Sequence, residues 1–412
     1  MGRQRIEYKW VVLLIISAAY MLAQGTRAIY AAVLPQIKAD FASSGISDTK
    51  LGLVGSAFTL AFGLCIPFAG IFADLLKRKW VLAAGGALFS VGIFFSGFAS
   101  GIGLLFISYG IINGIGQALM PPCNTSLISQ FHTDTRGTAF SIYQAAIYAG
   151  IIICSIGSGW LAGLGNDGWR KAFWIFGIAG LICTAFIIFI LKDTPQPASS
   201  EAGTRPSIKE ALRAFVSKPT ALILMAALGF YFFATYGFKN WAPMFIMRVF
   251  PDIPSAKAVF HAVFWFYLGA FAGVTISGRI SDKLKEKRPA IRIEVELAGI
   301  LFCVPFIVLM AYASNLPLMI FSITMFGFAS GVYDSNLYAA LLDVINPRYR
   351  AAATGIFGCG GCIVGALGPA VTGILSDIFS IRVAFASLAA FALAGAALVF
   401  IAKKNTFNKD II

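Results

Sequence analysis

Long apolar runs and short polar breaks alternate along the chain, and that alternation predicts its architecture. Twelve runs, near 10–34, 51–73, 80–100, 103–130, 138–163, 172–192, 220–247, 258–281, 293–313, 316–343, 352–376 and 380–402, are long enough for membrane-crossing helices, each of which takes roughly 20 apolar residues. Nothing of globular size lies between them, so the expected fold is an all-α membrane protein of twelve transmembrane helices. Met1 to Lys9 is basic. The run behind it is too long for a signal-peptide core and has no small-residue cleavage site, so the first helix is expected to stay. One break is long: Asp193 to Pro219 is polar and holds a short amphipathic stretch, Ile208 to Phe215. It divides the chain into a first six-helix bundle (1–192), a cytoplasmic linker (193–219) and a second bundle (220–412).

Composition narrows the class. Of 412 residues, 58% are hydrophobic and 12% charged, against about 25% charged in soluble domains. A soluble enzyme is excluded, and no cofactor loop or nucleophile with a paired base is present, so no catalysis and no cofactor are expected. The net charge of +14 raises nucleic acid as a partner, but its distribution argues otherwise. With the N-terminus cytoplasmic, Arg3, Arg5, Lys9, Lys77 to Lys79, the linker, residues 279–292, Arg348, Arg350 and the tail fall on one side. That is the positive-inside pattern. It puts both termini in the cytoplasm, with a bacterial inner membrane as the expected location, and leaves attraction to anionic lipid as a side effect. The bilayer and a small solute are the expected partners, with no nucleic acid, and the chain is expected to be a monomer. The seven cysteines all lie in apolar runs, which argues against a disulfide framework. Cys359 and Cys362 read as small packing residues. A metal site would want more thiols or histidines than His132 and His261 supply, so none is expected.

The first run carries a charge where hydrocarbon is expected: Gln24-Gly25-Thr26-Arg27-Ala28-Ile29-Tyr30. An arginine at bilayer depth costs about 2.5–3.5 kcal/mol on insertion scales, so it must face a wet or paired interior. Arg27 lies about 25 Å from the cytoplasmic end of its helix. It reads as an anion receiver in a transport path, with Gly25 and Thr26 expected to loosen the helix before it.

The two halves repeat one another. Gly70-Ile-Phe-Ala-Asp74 between helices 2 and 3 recurs as Gly278-Arg-Ile-Ser-Asp282 between helices 8 and 9, at an offset of 208, and Pro35 meets Pro243 at the same offset. Arg136-Gly137 after helix 4 meets Arg350-Ala351 after helix 10. Ordered landmarks of this kind mark an internal duplication.

With the repeat in hand, the whole chain resembles a major facilitator superfamily transporter, whose fold is two pseudo-symmetric six-helix bundles. The superfamily's loop between helices 2 and 3 reads G-x-x-x-D-R-x-G-R-R/K. GIFADLLKRK keeps Gly70, Asp74, Arg78 and Lys79 and departs at Leu75 and Lys77. Gly70 would permit close helix approach, and Asp74, Arg78 and Asp282 would latch or gate the seam between halves in the outward-open state. Arg27 in RAIYAAVLP, MPPCNTSL (120–127), GWRKAF (168–173), KDTPQ (192–196) and TYGFKNWAPMF (235–245) resemble the organic-anion branches, the anion:cation symporters and organophosphate:phosphate antiporters. The resemblance implies that Arg27 binds a sugar acid or sugar phosphate as the halves rock. Where those symporters keep an Asp before this arginine and an Arg and a Glu on helix 4, this chain has Thr26, Gly110 and Gln117. Coupling through those places is absent, and antiport or ion-coupled symport stays open.

Around Arg27, candidate binding groups are Gln24, Tyr30, Asn113, Gln117, Gln144, Tyr236, Lys239 and Asn240; amides offer donor and acceptor together. The antiporters' second arginine corresponds to Thr235, and Lys239 follows one turn later. Lys239 either completes a two-cation grip or snorkels toward the periplasmic surface beside Trp241. Tyr231, Phe232, Phe233, Trp265, Phe266 and Tyr267 form either an aromatic wall or lipid-facing packing. Asp334 lies about 15 Å from the cytoplasmic face and Lys239 about 28 Å, too far apart for a direct bond. It is a proton site, a gate, or a polar group bonded to hydroxyls. A lysolipid or drug carrier, since spinster-type carriers also keep this arginine, and a non-transporting sensor are the alternatives.

Overall fold

The computed structural model describes residues 7–165, 167–192 and 208–411, and at Asp74 and Ile208 the backbone alone. Among these residues all regular structure is helical, and twelve helices are long and apolar enough to cross a membrane: α1 Tyr8–Asp40, α2 Asp48–Ala73, α3 Arg78–Ser96, α4 Ile102–Phe131, α5 Arg136–Ala162, α6 Gly168–Ile190, α7 Pro219–Val249, α8 Ser255–Leu284, α9 Ile291–Ala311, α10 Leu316–Leu342, α11 Pro347–Ile378 and α12 Ile381–Asp410. A helix apolar all round needs an apolar surrounding. The outward positions meet that need, with Leu14, Trp160 and Phe189 exposed while Trp169, Phe173, Trp241 and Phe245 fill the interior. The short helix Ile208–Val216 precedes α7; residues 193–207 of the expected linker lie outside the described residues.

Helices α1 to α6 pack on one another, as do α7 to α12, and the two bundles meet along α2 with α11, α5 with α8, and α1 with α7. The repeat seen in the sequence has matching local roles. Arg136 at the start of α5 donates to the Ser129 hydroxyl at 2.6 Å, and Arg350 donates to the Leu342 carbonyl at 3.0 Å, so each ties down the end of the preceding span.

Twelve crossings put both described ends on one face, the termini face, and the seam between bundles differs at its two ends. At the far end a side chain at Gly52 would run into the Pro369 carbonyl, and one at Gly159 would sit 2.9 Å from Val259. At the termini end, side chains at Gly70, Gly137, Gly278 and Gly355 would meet nothing within 4 Å. Bonds between described residues at the termini end include Lys9 to Asp134 at 2.9 Å, Arg78 to Gln130 at 3.2 Å and Arg292 to Asp343 at 2.8 Å, each within one bundle. The molecule is therefore closed at the far face and open toward the termini. Gly70 does not make a close helix approach in this conformation, since a side chain there would meet nothing within 4 Å.

Three helices depart from regularity near the centre. Helix α4 widens into a π-helical turn over Phe106–Ile112. Helix α10 breaks at Ser335 and Asn336, between Leu316–Asp334 and Leu337–Leu342. Helix α11 is interrupted at Ala366, just before Gly368-Pro369, as a Gly-Pro step in the sequence suggests. Helix α1, by contrast, is unbroken. Gly25 does not loosen it; a side chain there would meet the Gly150 carbonyl at 2.6 Å, so this glycine lets α5 approach. The Thr26 hydroxyl turns back onto the Ala23 carbonyl at 2.8 Å.

Candidate functional site

A cavity of about 240 Å³ lies between the bundles at mid-depth. Helix α1 contributes Gln24 and Arg27, α2 Phe58, α4 Tyr109, α7 Tyr231, Tyr236, Lys239 and Asn240, α8 Tyr267, and α10 Asp334. Two cations and one acid thus face a shared space.

Arg27 is held by rings rather than by an acid. Its guanidinium sits 5.0 Å from the Phe58 centroid, 5.3 Å from Phe62 and 5.0 Å from Tyr236. No carboxylate lies within ion-pair distance of it among the described residues. Cation–π contacts hold a guanidinium in place without cancelling its charge. Its backbone is fixed as well: the Tyr109 hydroxyl donates to the Arg27 carbonyl at 2.7 Å, Tyr109 stacks on Tyr30 at 4.8 Å, and the Tyr30 hydroxyl donates to the Leu51 carbonyl at 2.8 Å.

Across the cavity, the Lys239 ammonium lies 5.2 Å from the Phe266 ring and 5.8 Å from Tyr267. It lines the central space instead of snorkelling outward. Asp334 accepts a hydrogen bond from the Tyr231 hydroxyl at 2.9 Å and is outside ion-pair distance of Lys239, in keeping with their expected depths. Asn240 reaches in beside Gly55, where any side chain would collide with it. Its buried amide nitrogen has no hydrogen-bond partner among the described residues.

The structure brings together Gln24, Arg27, Tyr236, Lys239, Asn240 and Asp334 and keeps other expected residues apart. Tyr30 is fully buried and spent on Leu51. Asn113 and Gln117 are also fully buried and bond each other at 2.9 Å, with Gln117 reaching Thr26 at 3.4 Å; they join α4 to α1 behind the cavity wall. Gln144 is exposed and outside the cavity lining. Arg78 bonds within its own bundle and Asp282 is exposed, so neither latches the seam here. The Asp74 side chain lies outside the described residues. Of the aromatic wall, Tyr231, Phe232 and Tyr267 line the cavity, whereas Phe233 stacks on Phe391 at 3.7 Å and Trp265 donates to His261 at 3.1 Å.

Sequence reasoning missed two groups. Phe58, Phe62 and Tyr109 sit in apolar runs with nothing to mark them. The second group seals the far face. Asp48, 2% exposed as a side chain, accepts two bonds from Arg248 at 2.6 and 2.8 Å, one from Ser376 at 2.6 Å and one from Lys38 at 2.5 Å. Asp377 of α11 receives the backbone N–H groups of Asp48 and Thr49 at 2.9 and 2.8 Å. An acid at a helix start, following the N-capping Ser47, was the available signal.

Comparison with known proteins fits this geometry. The chain is 27% identical to the glycerol-3-phosphate transporter of Bacillus subtilis (strain 168), over 82% of this chain and 80% of that one. It is 26% identical to the D-galactonate transporter of Escherichia coli O6:H1 (strain CFT073), over 96% and 94%. Its fold is similar to a crystal structure of a bacterial homolog to the human lysosomal transporter Spinster in an inward-facing, unoccupied conformation, with a TM-score of 0.84, 21% identity, and 100% and 99% of the two chains covered. The profile of the Major Facilitator Superfamily matches residues 16–295 and 292–410. A twelve-helix membrane protein whose two bundles meet around a central arginine, and whose sequence carries that profile over residues 16–410, belongs to the Major Facilitator Superfamily.

Proposed function

We propose that this transporter moves a small organic anion of the sugar-acid or sugar-phosphate class by alternating access. The observation that carries the reading is Arg27: a permanent cation in the central cavity, clamped by aromatic rings, with no acid among the described residues to neutralise it. The guanidinium fork matches carboxylate and phosphate geometry, and Lys239 adds a point charge from the other bundle. A cargo bridging the two would draw the halves together. Asn240 and Gln24 then read hydroxyls. The named cargoes of the glycerol-3-phosphate and D-galactonate transporters belong to this chemistry. The proposal takes the termini face as cytoplasmic in a bacterial inner membrane, the chain as a monomer, and 1–192 and 220–412 as rocking units joined by 193–219.

The test is counterflow of labelled D-galactonate and glycerol-3-phosphate in proteoliposomes. Arg27→Ala should abolish exchange while the protein still reaches the membrane. Near-normal exchange by that variant would remove the anion reading.

One observation favours a second reading. Phe58, Phe62, Phe232 and Tyr236 surround or adjoin the guanidinium, a wall suited to a cargo with a greasy part, such as a lysolipid. That cargo would depend weakly on Lys239, so transport surviving Lys239→Ala for a lysolipid and not for D-galactonate would favour it.

A further inference from the structure

The cavity's one acid has no counterpart in the anion grip. Among the described lining residues Asp334 is the only carboxylate. It ends the first helical segment of α10, where the unsatisfied carbonyls make the local field negative and disfavour an anion. The break that follows is pinned to α8: the Ser277 hydroxyl bonds Ser335 at 2.8 Å, and the Asn336 amide donates to Ser281 at 2.8 Å. The carboxyl is thus fixed in place, with one hydroxyl, that of Tyr231, donating to it. The other titratable groups near enough to act on its charge are Lys239 from α7 and Tyr267 from α8, which line the cavity with it, and Cys303 from α9 and Tyr148 from α5, with Tyr333 and Tyr338 on its own helix. Lys239 is the one cation among them.

The three places on helices 1 and 4 where the related symporters keep charged groups offer no titratable group. Thr26 and Gln117 are buried and bonded together, and Gly110 packs so closely on α2 that a methyl group added to it would lie 2.9 Å from the side chain of Ala57.

We propose that Asp334 is the proton-binding group of the transport cycle, taking up one proton with each anion. The proposal rests on the anion reading above. In the empty cavity Lys239 offsets Asp334. An anion seated on Arg27 and Lys239 removes that offset, and closure removes water, so a bare carboxylate is left costly. A proton from water on the loading side adds to one carboxylate oxygen, leaving a neutral acid that still accepts from Tyr231. On the releasing side the anion departs, Lys239 is free again, and the proton returns to water. Linkage makes the effect reciprocal: protonation tightens anion binding, so apparent affinity rises as pH falls on the loading side.

The experiment uses the full chain in proteoliposomes, with labelled D-galactonate and glycerol-3-phosphate as probes and the outside made acid. The wild type should accumulate a probe against its gradient, with exchange that strengthens on acidification. Asp334→Asn should lose accumulation by about 5–150-fold, the range of a typical coupling energy, and its remaining exchange should no longer vary with pH. Accumulation by Asp334→Asn at the wild-type level, wild-type pH dependence of its exchange, or complete loss of exchange would each overturn the proposal. Arg27→Ala separates the two readings: if it retains exchange, the anion reading fails instead.

Discussion

The two ends of the seam between bundles are built on opposite terms. At the far end one buried carboxylate, Asp48, gathers Lys38 from its own bundle and Arg248 and Ser376 from the other, while Gln36 reaches Ser255 at 2.8 Å and the Ala370 N–H donates to Ser56 at 3.1 Å. At the termini end the corresponding glycines look into open space, and ion pairs such as Lys9 with Asp134 and Arg292 with Asp343 lie within one bundle. The contrast teaches where this conformation holds its bundles together among the described residues: by a few charge-assisted bonds concentrated at the far face. A seam held at one edge opens by losing that edge.

The largest effect should follow from removing the hub. Asp48→Ala removes the one acid that joins Lys38 of the first bundle to Arg248 and Ser376 of the second, and the molecule should shift toward the facing in which this face is open. A cysteine placed at Ala370 should become open to labelling from the far face in that background; unchanged labelling would break the comparison. Gly52→Val comes next. Its side chain would meet the Pro369 carbonyl, and overpacking of this kind costs about 1–3 kcal/mol, so the same cysteine should label more readily, though less than with Asp48→Ala. At the open end, Gly355→Ala meets nothing and gains helix propensity, raising thermal stability by up to about 1 kcal/mol; a loss would mean the end is packed after all. The smallest effect belongs to the exposed pair at the termini face. The Lys9 ammonium holds the Asp134 carboxyl below its usual range, so any stability from the pair is present above the ordinary aspartate value of about 3.9 and fades as pH falls through the lower native value. Asp134→Asn should therefore leave thermal denaturation at neutral pH unchanged, and a marked drop would show that this end is held more firmly than described.

How far the sequence could be read follows the same division. The spans were legible because bilayer thickness imposes a length of apolar chain. Their ends were not: α1 runs on through Lys38 to Asp40, and α12 runs to Asp410, because hydropathy sees the lipid and not the hydrogen-bonded helix that continues past it. Arg27 and Lys239 were legible because charge at depth demands a reason. Tyr30, Asn113 and Gln117 were placed at the right height and on the wrong side, since counting residues along an axis gives depth and only packing fixes azimuth. Asp48 and Arg248 escaped because charges at span ends look like ordinary loop charges until the two bundles are brought together. Asp334 was visible as an acid in an apolar run, but its position at a break in α10 needed the fold.

The widened turn of α4 at Phe106–Ile112 bears on how this protein should be lined up with its kin. A π-turn holds one residue more than the helix around it, which rotates everything beyond it by about 100° relative to a regular spiral. Tyr109 lies within that turn and Gln117 beyond it. A relative lacking the extra residue would present the same letters on a different side of the helix, so a gapless alignment through this stretch pairs residues that do not share a view of the passage.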